Sequence, residues 1–354
     1  MNRKESEEEI LKKYKLTEAE HEMYYQTIKR IYAGGKIPIN NPIAVIIGGQ
    51  TGAGKSGIIG YSLKMFDDEN VIVINSDEIK PFHPKSEEIA KLYPDLYTKI
   101  TDQESNTWTS RLFEELRREK YNIIFEGTMK NNRVADESIV ELEELGYTVI
   151  VRGIATCDLE SRISILERYE GQVATKGWGR LVVPGHHNQT YNGMPETINY
   201  IEQTGRYDIL EVFSRGEIPS EPVCVYSHHN PQDKELTQNA IKNRRYVSKY
   251  SRSFGYNNAK DAIIGSREEE YDRVLPGAKK RIQSVLNSMN ERGASDLEKS
   301  MVMDVLNLIE EIIKKKPELT QNKKNGNIAQ ISSNPLNKII NIKSSKFLKQ
   351  TEER

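Results

Sequence analysis

Residues 49 to 56 read GQTGAGKS, the G-x-x-x-x-G-K-[ST] spacing of a Walker A phosphate loop. Glycines at 49, 52 and 54 allow backbone turns closed to other residues, so that successive N–H groups converge on phosphate oxygens at a helix N-terminus. On this reading Gly49, Gln50, Thr51, Gly52, Ala53, Gly54, Lys55 and Ser56 cradle a triphosphate. Lys55 reaches its β- and γ-phosphates, and Ser56 places a hydroxyl on the Mg²⁺ that bridges them. ATP and Mg²⁺ are the cofactors implied.

Two acids stand where apolar runs end. Asp77 follows Asn75 and Ser76 after NVIVIN, in position to orient an acceptor hydroxyl and take its proton. The alternative is that Ser76 and Asp77 merely cap a helix. Glu126 closes YNIIFEG, where an acid could hold a magnesium water, and Thr128 and Lys130 follow on the acceptor side. Further on, DLESRISILERYE carries Arg162 and Arg168 on the more exposed side of a helix expected to be capped by Asp158, with Lys176 and Arg180 in the glycine-rich stretch beyond. An arginine closing over the phosphates would neutralise charge on the transferring group. The pairs His186-His187 and His228-His229 do not stand at zinc-ligand spacing.

These residues need a scaffold, and the pattern supplies one. Runs at Pro42 to Gly48, Asn70 to Asn75, Tyr121 to Phe125 and Tyr147 to Ile154 alternate with amphipathic helical stretches, which implies parallel strands with helices on both faces. A ligand then belongs at the carboxyl ends of the strands. Further strands are expected at Tyr207 to Phe213 and Pro222 to Tyr226, the latter suited by its proline to an edge. The fold class is α/β, a nucleoside-kinase-like P-loop NTPase with a parallel sheet, flanking helices and a C-terminal helical extension. Residues 1–40 read as two helices, the second opened by a Thr17/Glu20 capping box and closed at Gly34 and Gly35. Residues 41–230 form the P-loop kinase core and 231–315 the extension, with helical patterns around Lys234 to Tyr250, Arg267 to Met289 and Asp296 to Lys315. Residues 316–354 read as a disordered tail with seven basic and three acidic residues after Pro317.

A net charge of -1 gives no overall pull toward nucleic acid or membrane, and Arg244, Arg245 and Arg252 read as a solvated helix face. Cys157 and Cys224 lie in or beside apolar runs and read as buried reduced thiols, which suits a cytoplasmic location. The sequence offers no apolar run of membrane-span length.

With these residues in hand, the stretch from about Asn41 to Gly216 resembles the zeta toxins of toxin-antitoxin systems. GGQTGAGKS resembles the family phosphate loop, INSDEIKPFHP the stretch with its acidic base, and FEGT the segment with its metal-side glutamate. The resemblance points to Asp77 as base, leaves His83 beside the substrate, and gives Glu126 and Thr128 their places. LERYE and the arginine twelve positions later resemble the two phosphate-facing arginines, here Arg168 and Arg180. It implies ATP-dependent phosphorylation of the sugar 3'-hydroxyl of UDP-N-acetylglucosamine or a related nucleotide sugar, and an antitoxin that blocks the ATP site. Two positions depart from the family. Ser110 stands where a glutamate meets the sugar, and Lys130 where an arginine follows EGT, a weaker bidentate donor. A kinase of the same build with another acceptor therefore stays open, as does a nucleotide-dependent switch that binds a partner protein.

Overall fold

A computed structural model describes residues 5–66, 68–180, 182, 184–216, 221–229 and 255–324. Six strands form one sheet in the order β2-β3-β1-β4-β5-β6. The strands are β1 (Ile43–Gly48), β2 (Ile72–Asn75), β3 (Ile123–Gly127), β4 (Thr148–Ala155), β5 (Ile209–Ser214) and β6 (Val223–His229). The first five run parallel and β6 closes the edge antiparallel to β5, beginning just after Pro222. This is the expected α/β architecture.

Strand β1 is buried along its whole length because it feeds two cores. Ala44 and Ile46 join one cluster, Ile43, Val45 and Ile47 the other, as the two-residue period of a strand requires. The same alternation sends Val149 and Val151 to one face and Ile150 and Ile154 to the opposite one. One face is covered by α2 (Glu18–Ala33), α6 (Tyr97–Arg118), α7 (Asn132–Glu144) and α9 (Pro184–Thr204), the other by α3 (Lys55–Leu63). Shorter helices α4 (Ser76–Ile79) and α5 (Ser86–Leu92) follow β2.

Helices α1 (Glu7–Tyr14) and α2 each open with a capping box, Ser6 with Glu9 and Thr17 with Glu20. Ile10 and Tyr14 pack on Ile89, Tyr97 and Ile100, while Tyr25 and Ile28 enter the main core.

Helix α8 (Asp158–Lys176) is clamped by two long C-terminal helices, α10 (Ala259–Glu291) and α11 (Asp296–Lys324). Leu159, Ile163, Leu166 and Tyr169 pack against Val274, Ile282, Val302 and Ile309. Arg281 binds Glu160 and Glu167, each at 2.6 Å, and Arg292 reaches Glu170 at 2.6 Å. Helix α11 continues through Pro317 to Lys324, past the expected start of the tail. The helical pattern at Lys234 to Tyr250, the cluster Arg244, Arg245 and Arg252, and the sequence after residue 324 lie outside the described residues. Among the described residues no helix is long and apolar enough to cross a membrane.

Candidate functional site

The parallel register brings the ends of β1, β2 and β3 to one edge, pairing Gly48 with Gly127 and Asn75 with Glu126. The loop 49–56 leaves β1 there and enters α3. Gly52 and Gly54 have φ values of 80° and 96°, which only glycine adopts without strain. A Cβ on Gly52 would stand 2.2 Å from the Ser161 carbonyl oxygen, so the loop is pressed against α8. Gly54, the N-cap of α3, supplies no side-chain acceptor to the first turn, where the Gly57 N–H donates to the Gly54 carbonyl at 3.0 Å, and such a helix start suits an anion.

Lys55 folds over this loop, donating to the carbonyls of Gly49 at 2.9 Å and Gln50 at 3.2 Å, with Glu126 Oε1 3.4 Å from its ammonium. Ser56 is exposed on the first turn of α3. The side chain of Gln50 is buried behind the loop and donates to the Thr156 carbonyl at 2.8 Å, so only its backbone can meet a phosphate. Arg267 of α10 donates to Gln50 Oε1 at 3.4 Å and to the Tyr191 carbonyl at 2.9 Å, and Thr156 Oγ1 donates to the Ala53 carbonyl at 2.7 Å.

The cap of α4 is neither Ser76 nor Asp77. It is Asn75 that caps α4, its Oδ1 accepting from the Asp77 N–H at 2.8 Å, while its Nδ2 donates to Glu126 Oε2 at 2.6 Å. The Asp77 carboxylate is thereby spared from capping. It pairs with Arg180 and lies 3.5 Å from Lys80, whose ammonium also pairs with Asp102 of α6. Its side chain is 41% exposed, in the cleft that Arg180, Lys80 and Lys55 border. Burial pushes the Asp77 carboxyl up, but Arg180, Lys80 and Lys55 together outweigh this and hold it well below the usual carboxylate range.

Arg180 follows the Gly177 C-cap of α8, and its N–H donates to Gln172 Oε1 at 2.9 Å, folding the turn back onto the helix. Arg168 meets solvent at the same cleft. Burial and the Arg180 charge push it down, with Asp77 and Glu126 opposing, so all four groups share one field. Arg162 stands apart, donating to Asp158 Oδ1 at 2.8 Å. Asp158 is not the cap of α8. Cys157 holds that position, its Sγ accepting from the Glu160 N–H at 3.4 Å, because Asp158 is turned inward to Arg162.

On the acceptor side the outcome is mixed. Thr128 is half-buried after β3, followed by Met129 at φ 49°, and Lys130 is exposed with its carbonyl against Gly193. His83 does not face this cleft with a free ring nitrogen. It is buried, Nδ1 accepting from the Lys85 N–H at 3.2 Å and Nε2 bonding the Tyr14 carbonyl at 2.9 Å, so it fastens α1 to the core. Ser110 is exposed on α6, eight positions beyond Asp102 and about 12 Å along the helix.

Sequence reasoning missed Lys80, Asp102 and Arg267, and weighed His186 only as a metal ligand. His186 is exposed on the first turn of α9; burial and Lys130 push its imidazole down, with Asp102 and Asp77 opposing. Lys80, three residues after Asp77, was legible as a same-face neighbour. The other three come from distant segments and had no local signal.

The zeta toxin family profile matches residues 32–230. Toxin zeta of Streptococcus pyogenes is 28% identical over 196 residues, covering 54% of this chain and 66% of that protein, just under two thirds of its length. Toxin PezT of Streptococcus pneumoniae serotype 4 is 28% identical over 193 residues, covering 54% of this chain and 74% of that protein. A structure from the PezAT chromosomal toxin-antitoxin system of Streptococcus pneumoniae superposes with a TM-score of 0.55 at 23% identity, over 77% of this chain and 98% of that one, and shares the fold. With more than half of its length matched by the profile, and with the P-loop, Asp77, Glu126, Arg168 and Arg180 gathered at one sheet edge, the chain belongs to the zeta toxin family.

Proposed function

We propose that this protein is a toxin that transfers the γ-phosphoryl group of ATP to a hydroxyl of a nucleotide sugar of the UDP-N-acetylglucosamine class. The observation that carries the reading is the Asp77 carboxylate, held between Arg180 and Lys80 with the P-loop Lys55 in its field.

Phosphoryl transfer needs positioning and charge stabilisation more than covalent chemistry. The loop and the uncapped start of α3 receive the triphosphate, and Lys55 exchanges its loop carbonyls for phosphate oxygens. The exposed Ser56 hydroxyl and the Glu126 carboxylate, steadied by Asn75, form an all-oxygen donor set that suits Mg²⁺. A Mg²⁺ ion held by these residues would supply charge stabilisation to the phosphates.

Asp77 is ionised but weakly basic while paired. Arg180 is common to Asp77 and the incoming phosphate, and its swing to the phosphate raises the proton affinity of the carboxylate as the acceptor hydroxyl needs it. Arg168 adds a second positive charge to the same group. The relatives are named toxins and PezAT is a toxin-antitoxin system, which supports an antitoxin protein as partner here.

The test is incubation of the purified protein with ATP, Mg²⁺ and a panel of nucleotide sugars, with mass spectrometry for one added phosphate. Asp77→Ala should abolish transfer while ATP binding persists. Turnover retained in that variant removes Asp77 from its role, and hydrolysis stimulated by a protein alone would favour a switch.

A further inference from the structure

Arg267 lies on α10, beyond the stretch that the zeta toxin profile matches, yet it touches the phosphate loop from behind. It is 5% exposed; its Nη2 donates to Gln50 Oε1 at 3.4 Å and its Nη1 to the Tyr191 carbonyl at 2.9 Å. The guanidinium also lies over the Tyr191 ring, 3.8 Å from the ring centre. Gln50 is fully buried, and at its other end Nε2 donates to the Thr156 carbonyl at 2.8 Å and to Ser161 Oγ at 3.4 Å. A primary amide has one accepting and one donating end, so a guanidinium on one side and a carbonyl on the other allow it a single orientation. The backbone of the same residue shapes the loop, its carbonyl accepting from the Ala53 N–H at 3.1 Å and from Lys55 at 3.2 Å. Helix α10 is anchored around Arg267: Ala262 and Ile263 enter the main core, and Glu270 accepts from the Cys157 N–H at the start of α8 at 2.5 Å.

We propose that Arg267 is a positioning residue for the nucleotide: through the Gln50 amide it holds residues 49–56 in the conformation that receives phosphate, which makes α10 part of the ATP site. A loop that is preformed binds with its intrinsic affinity, whereas one that is competent about a tenth of the time binds about tenfold more weakly. This inference rests on the reading of residues 49–56 as a phosphate loop and adds to it the element that keeps the loop in shape.

The experiment uses the full chain as wild type, Arg267→Met, Arg267→Lys, Gln50→Leu and the Arg267→Met/Gln50→Leu double variant. It reads equilibrium binding of a fluorescent ATP analogue and, without nucleotide, deuterium uptake by the peptide that spans 49–56. Arg267→Met should bind about tenfold more weakly, the worth of one hydrogen bond to a charged group, and should exchange faster at 49–56. Arg267→Lys keeps the charge without the two-pronged reach and should fall between. In the Gln50→Leu background the further loss from Arg267→Met should stay under about twofold, because the path is already broken, whereas a merely structural role would add in full. Should Arg267→Met fail to fold, the same cycle runs with Arg267→Lys. Unchanged affinity, unchanged uptake at 49–56, or losses that add in full overturn the proposal. A wild type that binds no ATP analogue fails the phosphate-loop reading and takes this proposal with it; wild-type binding that Arg267→Met leaves intact fails the proposal alone.

Discussion

Substituting alanine for Gly52 attacks the phosphate cradle without touching a charged group. At φ 80° an alanine costs about 1–2 kcal/mol in backbone strain. The added Cβ would lie 2.2 Å from the Ser161 carbonyl oxygen and 2.9 Å from Ile165 Cγ1, where ordinary contact begins at 3.4 Å. The loop must therefore retreat from α8 by about 1 Å, a displacement that costs on the order of a hundredfold in a positioned site. Gly60, on the same helix α3, is the matched control, since a Cβ there meets nothing within 4 Å. Gly60→Ala should be neutral or stabilising by about 0.5–1 kcal/mol. Equilibrium binding of a fluorescent ATP analogue, with thermal unfolding alongside, separates the two. Gly52→Ala should bind ten- to hundredfold more weakly with a midpoint only a few degrees lower. Wild-type affinity in Gly52→Ala would refute the claim that this loop, in this conformation, is what holds the phosphates.

Two further outcomes follow from groups buried away from the loop. Arg152 and Glu211, 1% and 0% exposed on neighbouring strands, pair at 2.7 Å, so Glu211→Ala strands a buried guanidinium and should cost about 3–5 kcal/mol in denaturant unfolding. An Arg152→Met/Glu211→Leu double variant should recover most of that loss. Burial pushes His187 down to about 4, with Asp158 opposing, against about 6.5 in an unfolded chain. The unfolded state therefore binds the extra proton first as pH falls, and the His187 contribution, complete above about pH 6.5, is lost by about pH 4. His187→Gln should flatten that part of the stability profile, and an unchanged slope would refute the assignment.

The sheet was legible because each parallel strand is an apolar run buried on both faces, and β1 through β5 all carry that pattern into the two cores. The loop 49–56 was legible because its spacing is a local mechanical requirement, and the positions of the acids at 77 and 126 because one lies just past the end of its strand and the other near the end of its own. What escaped was whatever depends on contacts between distant segments. Asn75 won the cap of α4 over its neighbours through its backbone position, and Cys157 took that of α8 because Asp158 was engaged elsewhere. His83, placed by motif beside the substrate, is drawn away by the Tyr14 carbonyl of an N-terminal helix. Asp102 and Arg267 gain their positions from α6 and α10, and Arg267 reaches the phosphate loop across 217 residues of sequence.

Single-turnover transfer with γ-labelled ATP, in the presence and absence of a nucleotide sugar, tests the central claim most directly. The account predicts that the label moves to the sugar with wild-type protein, and that Asp77→Asn slows this by about a hundred- to ten-thousandfold while still binding ATP. Label released only as inorganic phosphate, at equal rates in the two proteins, would contradict it.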